Sequence, residues 1–521
     1  MALSGIGKEV VRRIRGVLIQ SRFNGLKLFH TRPAIEVHPQ VGMADEQVTI
    51  GASGLEPGQL VILRSSVKSE CGKYLFEAHA TYEADSTGRV RVSEQPSLGG
   101  TYSGVHPMGL VWGVVPDAKS AKEKVRLVKT DPDIHHWVYT IDLYDGNVPN
   151  LNQGPGEILA SHTVTRRFIA SYVEVNKLDC ESLQGTLYLP KETVASSQLP
   201  LIIEIGGLTP RGVQDRPQLL ASHGFAVFDF NYFGAIGEAL LTGGPKGQNV
   251  YLDCQLFYDI IEFARRHPRI DDTRIGISAA STGGSLTLND ILEFARRHPR
   301  IDHTRIGISG SSMGGSLTLN AVPRLTDFPV RCISVAKCMD ILSMYLGLQG
   351  PDGSFIHPAP LTRENRYSNV MPGEDGTLWV DPDFNHHVFD AANNEDYVAP
   401  VENLTIPTLF LVCGDDRIVP SEKCLTRAAE RMRQAGNGHL VDFVHLPGAG
   451  HLLYTPYLPL CTESRVYVPG VLDAVYVRWG GEPKLHAEAQ VKAWQKMLDF
   501  FRQHLGPVEP LRRDWLSSDS E

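Results

Sequence analysis

The sequence has no apolar run approaching the roughly 20 residues that a membrane-spanning helix needs. It also lacks an excess of basic charge. Lys and Arg number 50 against 59 Asp and Glu, a net charge of −9, which argues against nucleic acid as the main partner. Cysteine is sparse and scattered, at positions 71, 180, 254, 332, 338, 413, 424 and 461. None forms a C-x-x-C pair, so neither a zinc site nor a redox dithiol is indicated. A disulfide scaffold would be shorter and denser in cysteine. The spacing fits a reducing compartment, with most of these thiols buried as small apolar groups. No metal and no cofactor is called for. The final residues, Ser518-Asp519-Ser520-Glu521, differ from a peroxisomal Ser-Lys-Leu signal.

What is present is ordinary for a globular chain: 42% apolar and 21% charged residues. At 521 residues, two or three structural units are expected. Residues 1–32 differ from the rest. Lys8, Arg12, Arg13, Arg15, Arg22, Lys27 and Arg32 face a single acidic residue, Glu9, and alternate with Val10, Val11, Ile14, Val17, Leu18 and Ile19 at helical spacing. This basic, amphipathic, acid-poor character is that of a mitochondrial transit peptide. The alternative is a basic surface helix or tail on a cytosolic protein.

Residues 33–175 carry short alternating segments, such as Gln47-Val48-Thr49-Ile50 and His136 to Ile141, divided by Gly- and Pro-containing turns. Many short strands at this spacing predict an antiparallel β-sandwich. From 176 to 508 the pattern changes. Compact apolar runs (Leu201 to Ile205, Phe225 to Phe230, Arg305 to Ser309, Val330 to Val335, Thr408 to Val412) alternate with helical spacing, as over Tyr251 to His267. That alternation predicts an α/β unit with a parallel sheet covered on both faces. Residues 509–521 form a polar tail. Within the α/β unit, residues 259–289 are followed directly by a near-copy, 290–320. Two copies are too few for a solenoid. They indicate a local duplication or an error in the gene model.

The second copy contains Gly310-Ser311-Ser312-Met313-Gly314 between a strand and a helical pattern. This is G-x-S-x-G in the strand–turn–helix setting that gives the motif its meaning. Glycines let the backbone close around a strained serine, and the following helix directs N–H groups towards a developing oxyanion. Ser312 is the expected nucleophile and the Met313 N–H one oxyanion donor. In the first copy, Ala279-Ala280-Ser281-Thr282-Gly283, alanine replaces the leading glycine; Ser281 is the alternative nucleophile, expected on a structurally peripheral unit.

A serine needs a base, and this motif's partners follow in the order acid, then histidine. His451, in Gly448-Ala449-Gly450-His451, is the expected base. Asp416 is the expected acid that orients it, with Asp415 as the alternative. The second oxyanion donor is expected near Gly207, after the first long buried strand.

These residues, with Pro96 to Tyr102, Pro107 to Trp112, Pro447 to His451, Pro456 to Cys461, Trp479 to Pro483, His486-Ala487, Gln490 and Ala493-Trp494, resemble the type I acyl-CoA thioesterases. That family shares its fold with bile acid-CoA:amino acid N-acyltransferase. The resemblance spans roughly 33–508. It implies a β-sandwich ahead of an α/β-hydrolase domain, a triad on Ser312, Asp416 and His451, and hydrolysis of fatty acyl-CoA with water as acyl acceptor. Serine rather than cysteine as nucleophile favours water over an amine, which would be the N-acyltransferase outcome. Two features depart from the family: the second elbow, which raises a catalytically impaired relative as an alternative, and Ser316 where the family tends to carry an acidic residue.

Overall fold

A computed structural model of the chain describes residues 32–146, 156–180, 183–191, 198–205, 214–230, 263–280, 306–324, 330–341, 397–466 and 475–506, with short stretches between 348 and 380. Residues 1–31 of the expected transit segment, the tail 509–521, Gly207 and Ser281 lie outside the described residues. So does most of the helix expected from Tyr251, of which the turn 263–266 is described.

The N-terminal part contains two sheets. One has three strands, Ala34–His38, Thr49–Ser53 and Val90–Arg91. The other has seven, with Leu60–Lys68, Leu75–Glu83, His136–Asp145 and Ile158–Arg167 as its long members. Alternation sets their buried faces: Phe76, Ala78, Ala80 and Tyr82 point inwards from Leu75–Glu83 while their neighbours stay partly exposed.

The second part is built on nine strands. In chain order they are β1 (Val173–Cys180), β2 (Leu183–Pro190), β3 (Leu199–Ile205), β4 (Ala226–Phe230), β5 (Ile270–Ala280), β6 (Ile306–Ser311), β7 (Val330–Ala336), β8 (Thr408–Cys413) and β9 (Val441–Leu446). Their order across the sheet is β1-β2-β4-β3-β5-β6-β7-β8-β9. The first two pairings are antiparallel and all others parallel. The sheet begins at Val173, so the boundary expected at 176 falls inside its first strand.

Because strands of a parallel sheet are covered on both faces, β3 is buried at every position. Ile202 packs into the core shared with α1 (Asp215–Ser222) and α4 (Pro483–Leu505), through Leu219, Phe501 and Leu505. Ile203 and Ile205 face the opposite core, with α2 (Met313–Ala321) and α3 (Ser421–Met432), through Leu317, Leu425 and Ala428. The first of these cores runs on into the N-terminal sheets.

Among the described residues, the strands of the two copies lie side by side. Every paired residue of β5 meets its own duplicate in β6: Ile275 with Ile306, Ile277 with Ile308, Ala279 with Gly310. The expectation of a peripheral first copy is therefore wrong. Its run from Ile275 to Ala279 is buried at every position, as is the second copy's from Ile306 to Ser311, so it enters the middle of the sheet between β3 and β6.

Candidate active site

Three loops at the C-terminal ends of β6, β8 and β9 converge. The first carries Ser312, with φ 59° and ψ −127°, a conformation that non-glycine residues rarely hold. Its N–H donates to the Ala336 carbonyl at 3.0 Å, tying the elbow to the end of β7. The glycines around it are required by space. A Cβ on Gly310 would lie 2.5 Å from Thr318 Oγ1, and one on Gly314 would lie 2.5 Å from the Ala279 carbonyl oxygen. Met313 opens α2, so its N–H belongs to the first-turn donors a helix leaves unpaired. Ser316, where the resembled family tends to carry an acid, accepts the Met339 N–H on its hydroxyl at 3.0 Å.

The second loop follows β8. Asp416 accepts N–H groups from Ile418 at 2.9 Å and Val419 at 3.1 Å, which fixes its carboxylate. Its two oxygens lie 3.0 and 2.9 Å from His451 Nδ1. Asp415 turns elsewhere: it accepts the Gly481 N–H at 2.9 Å and pairs with Arg417 at 2.7 Å. Of the two candidate acids, only Asp416 meets the histidine.

The third loop follows β9. Gly448 holds φ 69°, and a Cβ on Gly450 would lie 2.3 Å from the Gly480 carbonyl, so the approach to His451 needs both glycines. The His451 N–H donates to the Trp479 carbonyl at 2.8 Å, and its ring stacks on Trp479 with centroids 5.9 Å apart. Its Nε2 then sits 3.0 Å from Ser312 Oγ. The Asp416 and His451 side chains are 1% and 7% exposed, so their mutual hydrogen bond operates where water screens it little.

Two residues with no expected role complete this region. His486 of α4 is buried, and its Nδ1 accepts the Gly450 N–H at 3.0 Å, one residue before His451. Burial, with the positive Lys337 second, holds its pKa down at about 4, so the ring is neutral and able to accept. Lys337, the residue after β7, is buried with φ 42°, and its ammonium donates to the Leu453 carbonyl at 3.4 Å. Burial lowers its pKa to about 8. His486 stood within a string the sequence singled out but had no chemistry attached. A lysine directly after a buried apolar strand was the available signal for Lys337.

Such an arrangement can pass a proton from a serine to a histidine oriented by a carboxylate, the requirement for nucleophilic attack on an acyl group. Among the described residues no group of three or more His, Cys, Asp or Glu could hold a metal ion, and no helix is long and apolar enough to cross a membrane. The structure brings Ser312, Asp416, His451 and Met313 together; Gly207 and Ser281 lie outside the described residues.

Residues 45–179 match the family model described as Acyl-CoA thioester hydrolase/BAAT N-terminal region. Residues 288–507 match that described as BAAT / Acyl-CoA thioester hydrolase C terminal. Human acyl-coenzyme A thioesterase 1 is 30% identical over 89% of this chain and 95% of its own length. Human mitochondrial acyl-coenzyme A thioesterase 2 is 30% identical over 89% of this chain and 83% of its own. Mouse acyl-coenzyme A amino acid N-acyltransferase 2 is 29% identical over 90% of this chain and 96% of its own. On these matches, the chain belongs to the acyl-CoA thioester hydrolase/BAAT family.

Proposed function

We propose that this chain hydrolyses fatty acyl-CoA to a free fatty acid and CoA through an acyl-enzyme on Ser312. The observation that carries the reading is the continuous line Ser312 Oγ, His451 Nε2, His451 Nδ1, Asp416, with contacts of 3.0 and 2.9 Å. His451 takes the Ser312 proton as Oγ attacks the thioester carbonyl. The Met313 N–H at the start of α2 faces the oxygen that gains charge. CoA leaves as a thiolate, a better leaving group than an amine, so protonation of the leaving group matters less. His451 then activates a water, which releases the fatty acid. Acyl transfer to water needs no redox cofactor.

In this reading the N-terminal sheets form a β-sandwich over roughly 33–172, ahead of an α/β-hydrolase domain over 173–508. Residues 1–32 act as a mitochondrial transit peptide. A reporter fused to that segment should enter mitochondria; a reporter left in the cytosol would remove that part of the proposal.

The test of the reaction is palmitoyl-CoA hydrolysis, followed through released thiol. Ser312→Ala should bring turnover down to background and Ser281→Ala should not. The reverse result would move the nucleophile to the first copy. Amide formation when glycine or taurine is supplied would replace hydrolysis with N-acyl transfer.

A further inference from the structure

Acyl-CoA carries its thioester at one end and its phosphates at the other, joined by an arm about as long as four extended residues, roughly 15 Å. A site for the phosphates therefore has to lie within about that distance of Ser312 and present cations that no carboxylate has neutralised. A cleft of about 580 Å³ meets both conditions. Residues 69–74 and 123–130 of the N-terminal part form one wall, and Ser464 and Arg465, on the strand Glu463–Val466, form the other. Its volume is that of a small-molecule pocket. Two contacts tie it to the loop of the catalytic histidine. Trp479 Nε1 donates to Ser464 Oγ at 2.9 Å, and the ring of Trp479 stacks on that of His451. Arg126 Nη1 donates to the hydroxyl of Tyr454 at 2.9 Å, three residues after His451. Through the first of these contacts, Ser464 Oγ lies no more than about 16 Å from Ser312 Oγ.

The cations of the cleft are set against neutral groups. Lys124, held with φ 45°, places its ammonium over Trp379 and Tyr476, 4.5 and 4.7 Å from the ring centroids. Arg126 donates to a neutral hydroxyl, and Arg465 is exposed. Of the two acids in the walls, Glu70 is already taken up by Lys129 at 3.3 Å and by the N–H groups of Thr130 and Asp131, each at 2.8 Å. The other, Glu123, is exposed. That charge balance suits an anion with several phosphate oxygens. We propose that this cleft binds the phosphate-bearing nucleotide end of acyl-CoA, with Lys124, Arg126 and Arg465 as its cations. The nucleotide then supplies binding energy that holds the thioester at Ser312 and separates acyl-CoA from simpler thioesters. The assignment to CoA rests on the thioesterase reading; the affinity of the cleft for a nucleotide does not.

The experiment compares palmitoyl-CoA with palmitoyl-pantetheine, the same thioester without the nucleotide, through released thiol. The parent, Lys124→Gln and Arg465→Gln are measured on the full chain, each variant first shown by urea unfolding to be folded. Arg126 is left in place because it also holds Tyr454. Calorimetric titration with adenosine 3′,5′-bisphosphate, and separately with ATP, reads the cleft without turnover. A charge-assisted contact to phosphate contributes a factor of about ten. In each variant the ratio of kcat/KM for the CoA ester to that for the pantetheine ester should therefore fall about tenfold, and the bisphosphate should bind about tenfold more weakly. A ratio and an affinity within about twofold of the parent's in both folded variants overturn the inference and leave the thioesterase reading standing. Bisphosphate binding that weakens in the variants of a chain hydrolysing neither ester supports the nucleotide cleft and removes the thioesterase reading instead. ATP binding that weakens in the variants while the ester ratio stays fixed gives the cleft to a free nucleotide and overturns its assignment to CoA.

Discussion

His486 offers a quantitative test of how the catalytic loop is held. Its neutral Nδ1 accepts the Gly450 N–H at 3.0 Å, and burial keeps its pKa at about 4 against an ordinary 6.5. The native state thus binds fewer protons than the unfolded state between about pH 4 and 6.5. Stability rises with pH through that window, is full above it, and is lost as the pH falls towards 4. The whole difference corresponds to roughly 3 kcal/mol, of which roughly 2 falls between pH 7 and 5. The informative substitution is His486→Asn, because an asparagine carbonyl can stand near the place of Nδ1 and does not titrate. Urea unfolding of parent and variant at pH 7 and pH 5 gives the comparison. Loss of the ring should cost the variant about 1–2 kcal/mol at pH 7. From pH 7 to 5 the parent should lose roughly 2 kcal/mol more than the variant, and its turnover should show the same acid limb. Other groups titrate in both proteins and cancel in the difference. Equal losses in the two would refute the claim that a neutral His486 supports the loop.

Asp416→Asn should lower kcat for palmitoyl-CoA by about 10⁴, since the amide favours the wrong His451 tautomer; Asp415→Asn, which disturbs the tie to Gly481, should lower it by less than about tenfold. Buried Lys337, with its pKa lowered to about 8, gives the native state fewer bound protons than the unfolded state from about pH 8 to 10.5, so it adds stability as pH rises. Between pH 7.5 and 9 the parent should gain about 1 kcal/mol relative to Lys337→Met in urea unfolding, and parallel curves would refute this. Gly314→Ala places a Cβ 2.5 Å from the Ala279 carbonyl, so it should destabilise the fold by about 1–3 kcal/mol in urea unfolding and depress palmitoyl-CoA turnover.

The nucleophile was legible because its turn imposes residue types: small residues where Gly310 and Gly314 close on neighbouring atoms, and a helix start after it. His451 was legible for a similar reason, glycines at 448 and 450 where the backbone passes against Leu485 and Gly480. Asp416 was favoured over Asp415 by its spacing to Val419-Pro420. Adjacent residues on one turn share a composition signal, and it is the N–H groups of Ile418 and Val419 that hold the Asp416 carboxylate towards His451. His486 and Lys337 escaped because their roles depend on tertiary burial. A histidine in an amphipathic helix and a lysine after a strand look alike in sequence whether they face solvent or a loop 36 or 116 residues away.

The strand of the first copy lies inside the sheet, not at its periphery, for a physical reason. An extra unit was expected to be expelled from a closed-packed sheet, but an interior strand of a parallel sheet has to satisfy only its two neighbours and its two faces. β5 satisfies its neighbours because it repeats β6 and so pairs parallel with β3 on one side and with its own duplicate on the other. It satisfies one face with Ile275 and Ile277, as buried as Ile306 and Ile308. On the other it sets Gly276 beside Gly307, and both lie against Leu505 at the end of α4, where a Cβ on either would approach to 3.3 or 3.1 Å. The duplicated segment therefore carries its own packing instructions for both faces, and the fold has no reason to reject it. The 31-residue repeat is therefore a change the sheet absorbs on both faces, and removing one copy should leave stability to urea nearly unchanged.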